Sequence, residues 1–292
     1  MADDDLDFSG KHPTIAPPAR SPIYNAAMAM AFFRASGKSE EAAQGAAIFS
    51  ENDKTSGLFS KGDRMYLLIE GEVSLAAGDK VLGSVKVGEI FGEMAALTAQ
   101  PRSATATAKS RCRLVSLDGK QFEAGIQKMP EFALMLLSVI IDRLRQTTAK
   151  LRGSLALSAG GLAKPTSVFD KKLMEGLKRL TQGREPARFA AKSVIMKEGD
   201  AAAFMYIVVE GTIAISVRAK VVERVAPGGI FGEMALVDQA PRSASAIAET
   251  DCTLIALNRE ALLALVKSSP AFGLALLKAL AERLSAMTSH FK

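Results

Sequence analysis

The sequence contains two long copies of one pattern, and this internal repeat restricts the fold more than any other feature. Residues 91–106 read FGEMAALTAQPRSATA and residues 231–246 read FGEMALVDQAPRSASA, with ten of sixteen positions identical at an offset of 140. The same offset places Arg143 on Arg283. A repeat of this length in a constant register predicts two tandem copies of one domain within the 292 residues.

Each repeat has the local pattern of a small β-rich unit that ends in helix. Residues 65–76 and 205–217 are rich in β-forming residues and are broken by a Gly turn. A short helix precedes these runs, and further short strands follow at regular spacing. This order predicts a mainly β fold with α, as an antiparallel barrel or jelly roll. After Pro130 and Pro270 the apolar period becomes helical.

The helix predicted over residues 131–157 carries an apolar seam. Its positions recur at spacings of four and three, interrupted by one polar residue: Leu137, Ile141, Leu144, Thr148, Leu151 and Leu155. A weaker stripe follows in repeat two, at Leu277, Leu284 and Phe291. One interpretation packs this face on its own barrel. The other pairs the long helices, within one chain or between two chains as a homodimer.

Composition shifts suggest the boundaries of the domains. Residues 1–22 hold four prolines and are expected to be a disordered tail. Domain one is predicted over 23–157, a Gly/Pro-containing linker over 158–166 and domain two over 167–292. Ser167 with Asp170 resembles a capping box that opens a helix over 167–182.

The cysteines, Cys112 and Cys252, are also related by the offset of 140. A shared buried core position is the preferred interpretation, and an intramolecular disulfide is the alternative. With only two histidines, His12 and His290, the sequence offers no cluster at metal-ligand spacing. No metal ion or cofactor is therefore expected.

Charge and hydropathy narrow the classes of function. The net charge of +6 comes from scattered Lys and Arg residues, so a solvated surface is preferred to a nucleic-acid footprint. No uncharged apolar run reaches the length of a membrane span. The acidic start, MADDDLDFSG, does not match a signal peptide. We expect a cytoplasmic protein without a membrane segment.

The repeated segment has the chemistry of a compact nucleotide pocket. A Gly permits close approach of backbone to a ligand, and the N–H groups of the short helical turn after it attract an anion. Nine residues beyond Glu93 stands Arg102, and nine beyond Glu233 stands Arg242. A guanidinium grips phosphate with charge-assisted hydrogen bonds, whereas a carboxylate accepts a hydrogen bond from a sugar hydroxyl. A structural Arg–Glu pair in a turn is the alternative, and the second copy weakens it.

This segment resembles the phosphate-binding cassette of the cyclic-nucleotide-binding domain family, which includes catabolite activator proteins and regulatory subunits of cAMP-dependent kinase. The resemblance covers nearly the whole chain after the tail, twice. It implies a β-roll flanked by a short N-terminal helix and a long C-terminal helix in each domain. Glu93 and Glu233 would then bind the ribose 2′-hydroxyl, and Arg102 and Arg242 the cyclic phosphate.

In the catabolite activator branch, a Thr-Ser pair on the long helix touches the base. The matching positions here are Thr147-Thr148 in repeat one and Met287-Thr288 in repeat two, so base contact in repeat two is less complete. The resemblance thus gives these ligand-binding residues: Gly92, Glu93, Met94, Arg102, Ser103, Ala104, Thr147 and Thr148 in domain one, and Gly232, Glu233, Met234, Arg242, Ser243, Ala244 and Thr288 in domain two.

Repeat one departs from the pattern in one loop. Asn52 stands where repeat two keeps Gly199, and seven extra residues lie between Asp53 and Met65. We expect this loop to lie away from the cassette and to leave binding intact. For the ligand, cAMP is preferred to cGMP; a hydroxyl residue after the cassette Arg, as at Ser103 and Ser243, is associated with cGMP in the kinase branch.

Function is expected to be ligand sensing rather than catalysis. The sequence has no kinase or cyclase motif, and it stops too soon after the second long helix for a helix-turn-helix, which argues against DNA binding. A regulatory protein would then act through a partner protein. The alternative is a scaffold that holds nucleotide as a structural plug.

Overall fold

The computed structural model of this chain describes residues 24–54, 64–98, 100–153, 168–180 and 185–289, with side chains in the two long helices as far as Thr147 and Ala286. Within these ranges the two repeats contain the same elements in the same order. In repeat one they are α1 (Ala26–Ser36), β1 (Lys38–Ala42), β2 (Ala47–Phe49), β3 (Met65–Glu70), β4 (Val73–Ala77), β5 (Lys80–Val85), β6 (Ile90–Phe91), α2 (Glu93–Thr98), β7 (Thr105–Ala108), β8 (Cys112–Leu117), α3 (Gly119–Lys128) and α4 (Pro130–Gly153).

Repeat two has its elements in the same order and begins with a short helix of its own. Its elements are α5 (Lys171–Leu180), β9 (Ala187–Phe189), β10 (Val194–Met196), β11 (Met205–Glu210), β12 (Ile213–Val217), β13 (Lys220–Val225), β14 (Ile230–Phe231), α6 (Glu233–Asp238), β15 (Ser245–Ala248), β16 (Cys252–Leu257), α7 (Arg259–Ser268) and α8 (Pro270–Ser289).

Each repeat folds its strands into two antiparallel four-stranded sheets. The strand orders are β1-β8-β3-β6 and β2-β7-β4-β5 in repeat one, and β9-β16-β11-β14 and β10-β15-β12-β13 in repeat two. Every strand of one repeat therefore has the neighbours of its counterpart in the other. The predicted mainly β fold with α, as two tandem β-rolls, is confirmed.

The central strand β3 is buried on both faces, and its alternation sorts side chains into two different cores. Met65 and Leu67 face the helices, whereas Tyr66 and Leu68 face the interior of the roll. Strand β11 repeats this division. Each roll thus has an apolar interior of its own, with helices packed on one outer face.

The helices of both repeats share one apolar core rather than forming two. This core joins residues of α1, α3 and α4 to residues of α7 and α8. The rings of Phe32 and Phe132 stack at a centroid distance of 3.7 Å on one side, and those of Phe169 and Phe272 stack at 5.3 Å on the other. The two domains are therefore joined through continuous packing and not only through the chain.

The long helices α4 and α8 pair at the centre of this shared core. Leu137 and Leu144 of α4 are fully buried with Leu277 and Leu284 of α8. A Cβ placed on Gly273 would lie 4.0 Å from the Cβ of Ala133, its equivalent at the offset of 140. Meeting of equivalent residues is the signature of an approximate two-fold axis.

The helix contacts also come in reciprocal pairs. Helix α4 packs on α6 and α7, and α8 packs on α2 and α3. The described part of the α4 seam is thus covered by α8 of the same chain. Pairing of the long helices within one chain answers the question that the sequence left open. Homodimerisation stays an untested prediction.

Several local predictions can be compared with the structure. Helix α4 begins one residue before the predicted start, and residues 154–157 lie outside the described ranges. Helix α5 begins at Lys171 and not at 167, because Asp170 itself caps it by accepting a hydrogen bond from the Leu173 N–H at 2.7 Å. Ser167 lies outside the described residues, as do 1–22 and 158–166, so the predicted domain boundaries stay predictions. The sequence analysis missed the separate helices α3 and α7.

The cysteines occupy the predicted equivalent core positions. Cys112 and Cys252 are both buried and free, one in each roll. The alternative of a disulfide between them is wrong in this structure.

No single helix in the described ranges has both the length and the apolarity to cross a bilayer. Two bent pairs, Gly119–Lys128 with Pro130–Thr147 and Arg259–Ser268 with Pro270–Ala286, reach that length and composition only when both arms are counted across a 113° break.

Candidate functional site

The cassette begins in each repeat with a glycine that the local backbone requires. Gly92 has φ +74° and Gly232 has φ +80°, a region that favours glycine. A Cβ would also lie only 2.9 Å from Arg102 Nη1 at the first and 2.7 Å from Arg242 Nη1 at the second. The glycine thus makes room for the guanidinium of the same cassette.

The two cassette arginines take up the same position. Arg102 donates from Nη1 to the Gly92 carbonyl at 2.8 Å and from Nη2 to the Arg64 carbonyl at 2.7 Å. Arg242 donates in the same way to Gly232 at 2.8 Å and to Phe204 at 2.5 Å. Both side chains are buried. Each guanidinium is therefore fixed beside the N-terminal end of its cassette helix, α2 or α6.

The loop after β2 is part of the cassette's support, which corrects the expectation that it lies away. The Asn52 N–H donates to the Arg102 carbonyl at 2.9 Å, and the Arg102 N–H donates to the Asp53 carbonyl at 3.1 Å. Gly199 and Asp200 make the equivalent bonds to Arg242. Residues 55–63, in the loop that contains the insertion, lie outside the described residues.

The cassette glutamates are bound to arginines of their own long helices. Glu93 Oε1 accepts from Arg143 Nη1 at 2.8 Å, and Glu233 Oε1 accepts from Arg283 Nη1 at 2.6 Å. All four side chains are largely buried. Because a carboxylate beside a phosphate would repel it, this pairing removes the net negative charge that would oppose an anionic ligand.

The two glutamate–arginine pairs differ in their surroundings. Arg283 also binds Glu223 of β13, from Nε at 3.1 Å, and the Ile230 carbonyl at 3.2 Å. The equivalent of Glu223 at the offset of 140 is Gly83, which offers no side chain. Arg143 Nη2 is accordingly buried without a hydrogen-bond partner among the described residues. Burial alone would lower the pKa of Arg283, but the carboxylates of Glu223 and Glu233 outweigh it and raise that pKa.

The cassette arginine of repeat two has no salt bridge within the described ranges. Its two named hydrogen bonds go to neutral carbonyls. Burial lowers the pKa of Arg242, and the carboxylates of Glu233 and Asp200, which lie beyond ion-pair distance, offset this only in part. A buried cation without a salt bridge is a position where an anion would be stabilised.

Other predicted site residues lie around the cassette arginines. Met94 and Met234 are half-buried in the second position of α2 and α6, and the Ser243 hydroxyl contacts the Met234 sulfur at 3.8 Å. Ala104 and Ala244 are buried, whereas Ser103 is exposed. Thr147 is buried one turn beyond Arg143. The side chains of Thr148 and Thr288 lie outside the described residues.

Two cavities lie near these cassettes. One of about 350 Å³ borders the cassette of repeat one and is lined by Ile48, Phe49, Asp53, Lys54, Arg64, Tyr66 and Arg102. Three of these residues are basic. A second, of about 450 Å³, lies in repeat two between residues 201–203, the end of α6 and the start of α7. Neither is lined by a cassette glutamate among the described residues.

The sequence analysis missed Arg143, Arg283 and Glu223 as parts of the site. The two arginines had been used only to align the repeats, although the equal offset of both the glutamates and the arginines was a usable signal. Glu223 gave no such signal because it has no counterpart in repeat one. Across the described ranges, no cluster of three His, Cys, Asp or Glu side chains could hold a metal ion.

The comparison with known families assigns the chain. The sequence model of the cyclic nucleotide-binding domain matches twice, over residues 40–129 and 186–269. These two stretches include both cassettes and make up more than half of the chain. The protein belongs to the cyclic nucleotide-binding domain family, with two tandem copies.

Among its relatives are subunits and domains of nucleotide-dependent kinases. The chain is 27% identical over 200 residues to a cAMP-dependent protein kinase regulatory subunit of Eremothecium gossypii, covering 68% of this chain and 39% of that protein. It is 25% identical over 215 residues to a cGMP-dependent protein kinase of Eimeria tenella, covering 73% and 19%. The chain thus spans two fifths or less of these relatives.

A solved structure of the regulatory domain of Toxoplasma gondii PKA with cAMP is 20% identical and covers 88% of this chain and 89% of that one, at a TM-score of 0.30. The family assignment rests on the sequence matches, and the details of the site rest on the geometry of this chain.

Proposed function

We propose that this protein binds one cyclic nucleotide in each domain, preferring cAMP, and that it regulates a separate effector protein. Membership of the family supports nucleotide binding.

The observation that carries the proposal is the charge arrangement of the cassette. A buried arginine without a carboxylate partner, Arg242, stands beside a glutamate whose charge is already neutralised by Arg283. A cyclic phosphate carries one negative charge and would compensate the first, whereas a ribose hydroxyl is neutral and would donate to the second. Repeat one places Arg102, Glu93 and Arg143 in the same order.

A regulatory role is supported by what holds the cassette glutamates. Arg143 and Arg283 belong to α4 and α8, and these helices form the centre of the core shared by both domains. A ribose hydroxyl that binds Glu93 or Glu233 adds a ligand to an existing glutamate–arginine pair. Binding at a cassette would therefore act directly on a helix that joins the two domains, and shifts of such helices are a common means of signalling.

The nature of the effector follows by analogy alone. One relative is named as a regulatory subunit of a cAMP-dependent kinase, so a kinase catalytic subunit is the leading partner class. The preference for cAMP over cGMP rests on the family resemblance of the cassettes, and a second relative is named as a cGMP-dependent kinase.

Isothermal titration of the purified protein with cAMP and with cGMP tests this function. We expect two bound cAMP molecules per chain and weaker binding of cGMP. The double variant Arg102→Ala/Arg242→Ala should bind both nucleotides roughly 10- to 150-fold more weakly at each site. Undiminished affinity in the double variant, or no binding of either nucleotide to the unmodified protein, would refute the proposal. Ligand that copurifies and does not exchange would instead indicate the structural scaffold.

A further inference from the structure

Helix α4 touches the cassettes of both domains through two arginines that lie two positions apart. Residues two apart on an α-helix point in nearly opposite directions, about 200° around the axis. Arg143 turns toward its own domain and binds Glu93. Arg145 turns toward the other domain and binds Asp238, which lies 93 positions later in the chain.

The contact of Arg145 engages all three of its guanidinium nitrogens. Nε and Nη2 donate to the two carboxylate oxygens of Asp238, with the Nη2–Oδ1 bond at 2.9 Å. Nη1 donates to the Pro241 carbonyl at 3.0 Å. A two-bond fork of this kind fixes geometry as well as charge. The side chain of Asp238 is 11% exposed and that of Arg145 is 24% exposed, so the contact is shielded from much of the solvent.

The two residues that Arg145 holds mark the ends of one cassette loop. Asp238 is the last residue of the cassette helix α6, and Pro241 directly precedes the cassette arginine, Arg242. Between them Gln239 has φ +56°, in the left-handed region. Asp238 also accepts the Ala240 N–H at 3.1 Å. The loop that precedes Arg242 is therefore bound at both ends by one side chain of domain one, that of Arg145.

The equivalent loop in domain one is held by different contacts. The offset of 140 places Thr98 on Asp238 and Ser285 on Arg145. Thr98 bonds within its own repeat, donating to the Met94 carbonyl at 2.8 Å. Helix α8 does pack on α2, so the crossing exists on both sides of the two-fold axis. The forked arginine contact occurs on one side only.

We propose that Arg145 is a positioning residue of the second nucleotide site, supplied by the first domain. It holds the loop of residues 238–241 so that Arg242 and the amides of Ser243 and Ala244 face the phosphate. The second site then reaches its full affinity only with α4 in place. The inference rests on the proposed function, since it assigns how the second of the two sites is completed.

The same geometry couples the two sites. Ligand at the first cassette acts on Glu93 and hence on Arg143, and any displacement of α4 is carried to Asp238 by Arg145, half a turn further on. Coupling between binding sites is reciprocal in free energy. Filling the second site must therefore change affinity at the first by the same factor, and removal of Arg145 should reduce both effects equally.

The test measures each site alone by titration of the full chain with cAMP. The Arg102→Ala background leaves the second site, and the Arg242→Ala background leaves the first. Adding Arg145→Ala should weaken cAMP binding at the second site roughly fivefold to tenfold, which is the scale of a shielded ion pair with an added hydrogen bond. Affinity at the first site should not change.

Two further variants separate positioning from a general loosening of the domain interface. Lys267→Ala breaks another contact between the domains, the 3.3 Å pair with Glu131, which touches neither cassette. It should leave the affinity of both sites unchanged. In a double-mutant cycle, Asp238→Asn, which keeps an oxygen to accept the Ala240 N–H, should add little once Arg145 is gone. Should Arg145→Ala fail to fold, Asp238→Asn is measured in its place against the same outcomes.

Unchanged second-site affinity in Arg145→Ala would overturn the inference, and so would an equal loss in Lys267→Ala. Additive losses in the cycle would also count against it. Each of these results would leave the proposed function intact, because the unmodified protein would still bind at two cassettes. Failure of the unmodified protein to bind cAMP or cGMP would instead remove the proposed function itself.

Discussion

The two cassettes are alike and their supports differ. In both, the glycine, the glutamate and the arginine occupy equivalent positions, and the arginine donates to the two equivalent carbonyls. Around them, repeat two adds Glu223 beside its long-helix arginine and accepts Arg145 from the other domain. Among the described residues, repeat one has neither contact.

Repeat one instead has a ring beneath its cassette arginine. The guanidinium of Arg102 lies 4.2 Å from the centroid of Phe49. Strand register makes Met196 the equivalent of Phe49, since these residues pair with Ala106 and Ala246, which are themselves 140 apart. The cassette residues proposed to bind phosphate are duplicated, whereas the contacts that hold them in place have diverged. Substitutions at the divergent positions test this difference.

The largest difference is expected at the long-helix arginines. Arg283→Ala strands the buried carboxylates of Glu233 and Glu223, and should cost about 3–5 kcal/mol in the free energy of unfolding. Arg143→Ala strands Glu93 alone and removes a nitrogen that lacks a partner, so roughly 1–3 kcal/mol is expected. Urea unfolding followed by circular dichroism measures both. Arg224→Ala, which breaks a half-exposed pair with Glu249, is the control. Equal losses from the two arginines would contradict the comparison.

Substitution of either cassette arginine should weaken nucleotide binding in its own domain by a similar factor. Arg102→Ala and Arg242→Ala each remove a charge-assisted bond to the phosphate, worth about 1.5–3 kcal/mol or roughly 10- to 150-fold in affinity at the altered site. Titration with cAMP should show the other site unchanged apart from its coupling. Arg188, exposed on β9, provides the control substitution to Ala. Loss at only one site would mean that only one cassette binds nucleotide.

Substitution of Glu223 should have a smaller effect on the free energy of unfolding. Its carboxylate binds Arg283 at 3.1 Å in a partly buried position and helps to raise the pKa of that arginine. Glu223→Ala should lower the free energy of unfolding by about 1–2 kcal/mol. Glu249→Ala, at a more exposed pair, should have less effect on the urea midpoint. An unchanged midpoint in Glu223→Ala would show that Arg283 needs only Glu233.

The sequence predicted what the repeat preserves. The β-forming residues of the run from Met65, the break at Gly71 and the duplicated cassette were enough for the two rolls and for the glutamate and arginine positions. These features depend on local pattern, which a sequence displays directly.

The contacts that distinguish the sites could not be obtained in this way. Glu223 lies on strand β13 and binds Arg283 on helix α8, and Arg145 of domain one binds Asp238 of domain two. Neither pair has a characteristic spacing along the sequence. The α4 seam predicted a partner helix without identifying it, since α8 of the same chain and a second chain would present similar faces. The loop at Asn52 was misplaced because its backbone bonds to Arg102 involve no side chain that a motif would display.

The smallest expected effect concerns the ring beneath Arg102. Phe49→Met gives repeat one the residue of repeat two and removes a cation–π contact worth about 0.5–1 kcal/mol, hence roughly a twofold to fivefold loss of cAMP affinity at the first site. The measurement uses the Arg242→Ala background, where only that site binds. Phe49→Tyr keeps the ring and should keep the affinity. The reverse change, Met196→Phe, should strengthen the second site in the Arg102→Ala background. If Phe49→Met and Phe49→Tyr behave alike, the ring contributes no cation–π attraction, and the sites differ in other contacts, such as those of Glu223 and the forked arginine.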